Sequence, residues 1–300
     1  MKPPPFAYAA PATVEEAVGV LADAGPDGKV LAGGQSLIPL LNMRLAAPRL
    51  LVDINLVSAL DYVRVDDDAV RVGALARHAT VERDEEAWRR LPLLRRALRL
   101  VAHPVIRNRG TVCGSLAHAD PAGELTAVLA LLEGSVTAAH RGPAGVTSID
   151  VAAAELFVGP LESSLPPGRL VTEARFPLPA PGTGTAFVEV ARRHGDYAIA
   201  GVAAAVALDD DVRVARARVA FISLAPTPLV VDLTDALGGA TVATADWAAA
   251  GRAAAAATDP EPDIHASADY RRHLAAVLTA RALREAADEA AHQALEGGLR

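Results

Sequence analysis

Leu31-Ala32-Gly33-Gly34-Gln35-Ser36-Leu37 (LAGGQSL, 31–37) opens the stretch LAGGQSLIPLLNMRLAAPRLLVDI, residues 31–54. Val30-Leu31-Ala32 reads as a short buried strand, so the two glycines fall on the turn that leaves it. Without a Cβ, a backbone can come close to a ligand oxygen, and successive amides can form an anion-binding nest. Alone, such a pair more often marks a tight structural turn. Upstream, Thr13-Val14-Glu15-Glu16 is a capping box, followed by Val14, Ala17, Val18 and Leu21 at helical spacing, with Gly25 as the stop. Downstream, Leu50 to Ile54 is a second strand.

Further along, Val63-Arg64-Val65, Asp66-Asp67-Asp68 and Val70-Arg71-Val72 predict a hairpin. A helix is expected after Pro92, burying Leu94, Ala97, Leu98 and Val101 and ending before Pro104. Gly110-Thr111-Val112-Cys113-Gly114-Ser115 is a second glycine-bearing loop. Asp120-Pro121 reads as an N-cap with proline at the first helical position, introducing Leu125, Val128, Leu129 and Leu132. Residues 177–184, PLPAPGTG, form the clearest linker. Beyond it, 199–208 and 212–223 read as strands around an acidic turn, with Ala215, Ala217, Val219 and Phe221 alternating with Arg216 and Arg218. Helices are expected near 227–238, 244–257 and 268–296. The alanine-rich tail keeps amphipathic leucine spacing and predicts packed helices. No repeat of fixed period is present.

Composition narrows the function. The 300 residues are 51% hydrophobic and 22% charged, enough to bury a substantial core. Net charge is −7, with scattered arginines, which speaks against a nucleic-acid partner. No apolar run reaches the roughly 18 residues of a transmembrane segment, and Met1-Lys2-Pro3-Pro4-Pro5 lacks a secretory signal, so a cytoplasmic location is expected. Cys113 is the single cysteine, so this chain alone cannot hold an iron–sulfur cluster or a four-cysteine zinc site. His103, His118 and His194 show no ligand spacing and read as loop histidines, and Arg192 and Arg193 as salt-bridge partners. No metal site is expected. Neither glycine segment matches a P-loop, and no G-x-G-x-x-G with a following acidic residue supports a Rossmann site.

The segments 31–54, IRNRGTVCGSLAHADPAGEL (106–125) and RRHGDYAIAGVAAAV (192–206) together resemble the FAD-binding medium subunits of molybdenum hydroxylases, the carbon monoxide dehydrogenase and xanthine dehydrogenase group. The resemblance covers nearly the whole chain. It implies an α+β protein: a two-lobed FAD-binding domain of PCMH type over 1–176 (lobes about 1–55 and 56–176), the linker 177–184, and a C-terminal domain over 185–300 with a small antiparallel sheet and helices. It implies non-covalent FAD on this chain: Gln35 stands where some relatives have histidine, and where a histidine in such a loop can bind flavin covalently in related stand-alone oxidases, an amide cannot. The two glycine segments, Leu31 to Leu37 and Thr111 to Ser115 with Cys113 and Gly114, would embrace the diphosphate. Asp120 and Glu124 would lie near the ribityl chain, Asp120 equally well serving as an N-cap alone. Leu170 or Val171 would pack on the flavin, and Tyr197 would gate it.

Cys113 stands where many members have glycine, and its expected role is packing. The partners implied are a molybdopterin-containing large subunit and a small subunit with 2Fe-2S clusters, as a dimer of heterotrimers. The implied function is electron transfer from those clusters through FAD to an external acceptor, with no residue of this chain acting on the organic substrate. The alternatives are a stand-alone flavin oxidoreductase and a non-catalytic FAD-binding assembly or sensor protein.

Overall fold

The computed structural model describes residues 2–297. Three sheets follow one another along the chain. The first is parallel and three-stranded, in the order β1-β3-β2, from β1 (Ala7–Ala9), β2 (Gly28–Leu31) and β3 (Leu50–Asp53). Parallel neighbours need crossovers, and α1 (Val14–Ala24) and α2 (Leu37–Asn42) supply them. The α1 start is a working capping box: Thr13 Oγ1 accepts from the Glu16 amide at 3.1 Å, and Glu16 Oε2 accepts from the Ala12 amide at 2.8 Å. The helix buries Ala17, Val18 and Leu21 and packs between the first sheet and the second.

The second sheet is antiparallel, in the order β4-β5-β10-β6-β7. The hairpin of β4 (Val63–Val65) and β5 (Ala69–Gly73) pairs Val63 with Val72. Helices α3 (His78–Arg83), α4 (Glu85–Arg90), α5 (Pro92–Leu100), α6 (Pro104–Arg107), α7 (Val112–His118) and α8 (Glu124–Leu131) come next. Then come β6 (Ser135–Gly142), β7 (Gly145–Ala152), the short α9 (Ala153–Leu156), the small pair β8 (Phe157–Gly159) and β9 (Glu162–Ser163), and β10 (Leu170–Pro177). One hydrophobic cluster runs through both sheets, from Leu21 and Val52 to Leu98, Leu116 and Phe176.

Two local readings need correction here. Gly110 to Ser115 is not a free loop. Thr111 caps α7, its Oγ1 accepting from the Gly114 amide at 3.1 Å, so Cys113, Gly114 and Ser115 are helical. Asp120 does not cap the next helix either. It accepts from the Ala122 amide at 2.9 Å, an Asx turn, and α8 starts at Glu124, behind Gly123.

The third sheet is antiparallel, β11-β12-β13-β14, built from β11 (Thr183–Ala191), β12 (Ala198–Leu208), β13 (Val214–Ile222) and β14 (Leu229–Asp232). Pro177 and Thr183-Gly184 therefore lie in strands, and only 178–182 are irregular. The helix expected over 227–238 is instead β14 followed by one turn, α10 (Thr234–Leu237). Val230 and Val231 pair with β13, and β-branched side chains suit that edge. Helices α11 (Trp247–Ala256) and α12 (Ala268–Gly297) cover the sheet. On α12, Leu278, Ala282, Leu283, Ala286 and Ala290 are fully buried at spacings of three and four. Small residues let backbones meet: a Cβ at Gly184 would strike the Ala286 carbonyl, and one at Gly251 the Ala276 carbonyl.

One polar clasp joins the C-terminal sheet and α12 to α5. Glu289 accepts from Arg96 Nη2 at 2.6 Å and from the Thr185 amide at 2.7 Å, and Arg96 also donates to the Thr185 carbonyl. Replacing Glu289 by alanine leaves a guanidinium and an amide without their acceptor, and is expected to cost about 2 kcal/mol. Urea unfolding of the full chain measures this, and an unchanged midpoint would show the clasp to be inert.

Candidate functional site

The two glycine segments touch. A Cβ on Gly33 would strike the Arg109 carbonyl and come within 2.8 Å of the Gly110 Cα. Gly33 is therefore side-chain-free because the second segment packs on it. Gly34 meets a different demand: its φ of +74° is the left-handed region that glycine tolerates. Polar side chains lock the contact. Arg77 donates from Nη1 to the Arg109 carbonyl at 2.8 Å and from Nη2 to Asn55 Oδ1 at 2.6 Å, while Asn55 Nδ2 donates to the Ala32 carbonyl at 3.0 Å. Behind them, Asp53 accepts from the Asn55 amide at 2.9 Å and from the Tyr8 hydroxyl at 2.6 Å. Burial works against the Asp53 charge, but these hydrogen bonds outweigh it and lower its pKa.

A cleft of about 700 Å³ opens beside this contact. Residues 32–37 line one side. Thr111, Cys113, Gly114 and Ser115 line another, with Asp120 and Glu124 further along. Leu170, Val171 and Tyr197 also border it. Of the residues assigned to the cofactor from sequence, Leu31 alone is not among those lining the cleft; its side chain packs beneath Gly34. Among the described residues, the amides of Gly33, Gly34, Gln35, Ser36 and Leu37 have no protein acceptor, and the Ser36 hydroxyl does not cap α2. Gln35 folds back to donate to the Gly33 carbonyl at 3.2 Å. Cys113 is buried, its thiol donating to the Val72 carbonyl at 3.4 Å, and burial pushes its pKa up, as an inert packing thiol requires.

Four cleft features were invisible to sequence reasoning. Lys29 and Arg169 border the cleft and add positive charge to it. His78 is 3% exposed, with Nε2 3.0 Å from Ser115 Oγ. Burial holds it neutral, with a pKa of about 4; the Thr111 carbonyl opposes this and the Arg107 charge adds to it. The segment 161–169 closes one wall. None of these carries a spacing signal, because each reaches the cleft through long-range packing.

Acidic groups border the cleft as well. Burial pushes Glu124 up to about 8, with its own amide opposing and Glu189 and Asp120 adding to the shift, and pushes Glu189 up to about 7. Arg192 and Arg193 both pair with Asp196, at 3.6 and 3.1 Å, next to exposed Tyr197. His103 and His194 stack edge to face, 6.3 Å apart, and His118 lies 4.0 Å from Asp120.

Two outcomes follow from this geometry. Gly33→Ala forces the segments apart and is expected to cost about 1–3 kcal/mol, whereas Gly19→Ala, which meets nothing within 4 Å, is neutral or mildly stabilising in its helix. Equal urea midpoints would remove the Gly33 constraint. For Glu124, the folded carboxyl keeps its proton to about pH 8, while the unfolded chain releases it near 4.5. Ionisation therefore favours the unfolded state as pH rises between those values. Glu124→Gln should gain on the unmodified apoprotein across that window, and parallel stability curves would contradict the burial argument.

The family model for the FAD binding domain in molybdopterin dehydrogenase matches residues 4–179, and that for the CO dehydrogenase flavoprotein C-terminal domain matches 185–286. The chain is 44% identical to the 6-hydroxypseudooxynicotine dehydrogenase complex subunit alpha of Paenarthrobacter nicotinovorans, over 95% of this chain and 96% of that one. It is 37% identical to the carbon monoxide dehydrogenase medium chain of Hydrogenophaga pseudoflava, over 95% and 98%. Among solved structures, quinoline 2-oxidoreductase from Pseudomonas putida 86 superposes with a TM-score of 0.89 at 36% identity, covering 97% of this chain and 99% of that one. Two family models in tandem and relatives matched nearly end to end make this chain a member of the FAD-binding medium subunits of molybdenum hydroxylases.

Proposed function

We propose that this chain carries non-covalently bound FAD and relays electrons from the 2Fe-2S clusters of a small partner subunit to an external acceptor, within a complex whose molybdopterin-containing large subunit oxidises the substrate. The observation that carries this reading is the run of five amides, 33–37, with no acceptor among the described residues, at a cleft of about 700 Å³. An anionic group suits such a row, and two phosphates joined in a dinucleotide suit its length. Lys29 and Arg169 add positive charge beside it.

The residues that would hold the cofactor fall into groups. Ala32 to Leu37 and Thr111 to Ser115 would face the diphosphate. Of these, Thr111 Oγ1 accepts from the Gly114 amide, which leaves its hydrogen, like those of Ser36 and Ser115, able to donate. Asp120 and Glu124 would accept from ribityl hydroxyls; a protonated Glu124 can also donate. Leu170 and Val171 offer an apolar wall for the ring system, and Tyr197, at the mouth, an exposed aromatic cover. Gln35 carries an amide, which cannot form a covalent flavin link. When bound, FAD supplies the capacity to take up electrons singly and release them singly or in pairs. The chain's own share is to bind it, orient it and shield it from water.

The domain division belongs to the same reading: lobes over about 1–55 and 56–176, a connection over 177–184 and a C-terminal domain over 185–300. So do a cytoplasmic location and a dimer of heterotrimers. Among the described residues no helix is long and apolar enough to cross a membrane.

The visible absorption spectrum of the purified full chain tests the proposal, followed by heat release and chromatographic identification of the chromophore. FAD in about equimolar amount, and co-purification of molybdenum and iron–sulfur subunits, are expected. A chain that stays colourless and fails to take up added FAD would overturn the assignment.

A further inference from the structure

His78 and Ser115 form a pair whose hydrogen-bond polarity the structure determines. The imidazole is 3% exposed and opens α3. It lies flat against Gly110, where a Cβ would come 2.9 Å from Nδ1. Nε2 sits 3.0 Å from Ser115 Oγ, while Nδ1 has no partner at hydrogen-bond geometry among the described residues; the Thr111 backbone acts on the ring without meeting that geometry. Both residues border the cleft.

A neutral imidazole carries one N–H and one bare lone pair. Burying an N–H with no acceptor costs more than burying an unused lone pair, and orphaned buried N–H groups are rare. The proton therefore sits on Nε2 and is donated to Ser115 Oγ. An imidazolium would leave a charged Nδ1–H unpaired, which is worse. A serine hydroxyl has one hydrogen and two lone pairs. With one lone pair taken by His78, its hydrogen has to point elsewhere, and no other protein partner meets it among the described residues.

We infer that His78 is a positioning residue that fixes Ser115 as a hydrogen-bond donor into the cleft, directed at a diphosphate oxygen of the bound dinucleotide. This rests on the FAD reading. The opposite tautomer would consume the serine hydrogen and present only lone pairs to the cleft, which would repel a phosphate and suit a ligand hydroxyl. Neutrality matters as much as direction, because a histidine that gained charge on binding would alter the anion balance of the site.

The test uses the full chain in two ways. In protein labelled with 15N-histidine and loaded with FAD, the His78 imidazole, assigned through His78→Gln, should give the nitrogen shifts of a neutral ring protonated on Nε2 at pH 7. An Nδ1-protonated ring or an imidazolium overturns the inference. In FAD titrations, Ser115→Ala should weaken binding roughly ten- to hundred-fold, the loss of one hydrogen bond to a charged group. His78→Leu should lose about as much, and the double variant no more than either alone. His78→Gln, whose amide nitrogen stands in for Nε2, should retain most of the affinity. Independent, additive losses, or undiminished binding by His78→Leu, overturn the inference while leaving the FAD assignment intact. Should His78→Leu not fold, the nitrogen spectrum of the unsubstituted protein decides alone. Failure of the unsubstituted chain to bind FAD removes the assignment itself, and the inference with it.

Discussion

Everything at the cleft depends on one backbone contact, Gly33 against Arg109 and Gly110. It brings a turn leaving a parallel strand into register with the start of α7, nearly 80 residues later in the chain. Any side chain at Gly33 would hold the two apart. The contact alone would be weak, since two backbones meeting edge to edge gain little apolar burial. Its rigidity comes from the Arg77–Asn55 pair, which grips a carbonyl on each side, Ala32 and Arg109. Partial burial lowers the Arg77 pKa, with the nearby Arg109 charge adding to the effect. The hydrogen bonds to a carbonyl and an amide oxygen offset that desolvation, as charge-assisted bonds can.

That arrangement determines how an anion is met. Nucleotide sites often place a lysine on the phosphates, but here the first wall is a row of amides with no acceptor among the described residues. Amide dipoles fixed by the fold need no reorganisation and release no proton when a ligand arrives. The neighbouring titratable groups follow the same economy: His78 is neutral by burial, Cys113 is held as a thiol, and Glu124 keeps its proton to about pH 8. These three groups thus add no negative charge to the cleft, while Lys29 and Arg169 at its border supply positive charge.

Much of this was legible in sequence where the cause was local. The Thr13 capping box, the Val63–Val72 hairpin and the buried spacing on α12 are all written within a few residues of where they act. The errors came where a local signal had two meanings. Asp120-Pro121 has the form of a helix start, but the Asp120 side chain closes an Asx turn and Gly123 takes the cap. Residues 227–238 lack strand alternation, yet Val230 and Val231 become an edge strand because β13 offers them hydrogen bonds. Gly33 was read as a place where a ligand comes close, and the neighbour seen there is the second glycine segment. Arg77, Asn55 and His78 left no trace, since their partners lie 22 to 37 positions away.

The C-terminal domain is also part of the cleft. Gly195, Asp196 and Tyr197, on the turn between β11 and β12, form one border of it. Gly195, at φ +83°, presses on the His103 ring, so close that a Cβ would come 2.5 Å from Cε1. The Arg96–Glu289 clasp fixes the same domain to α5 from the other side. Helix α8 also packs against β12 and β13, and Arg218 pairs with Glu133, so several attachments limit how far the domain can rock. The alanine-rich character of α11 and α12 then has a mechanical reason. Small side chains let these helices lie close to the sheet and to each other, and a stiff, closely packed domain holds the Gly195 turn against the cleft better than a loosely packed one would.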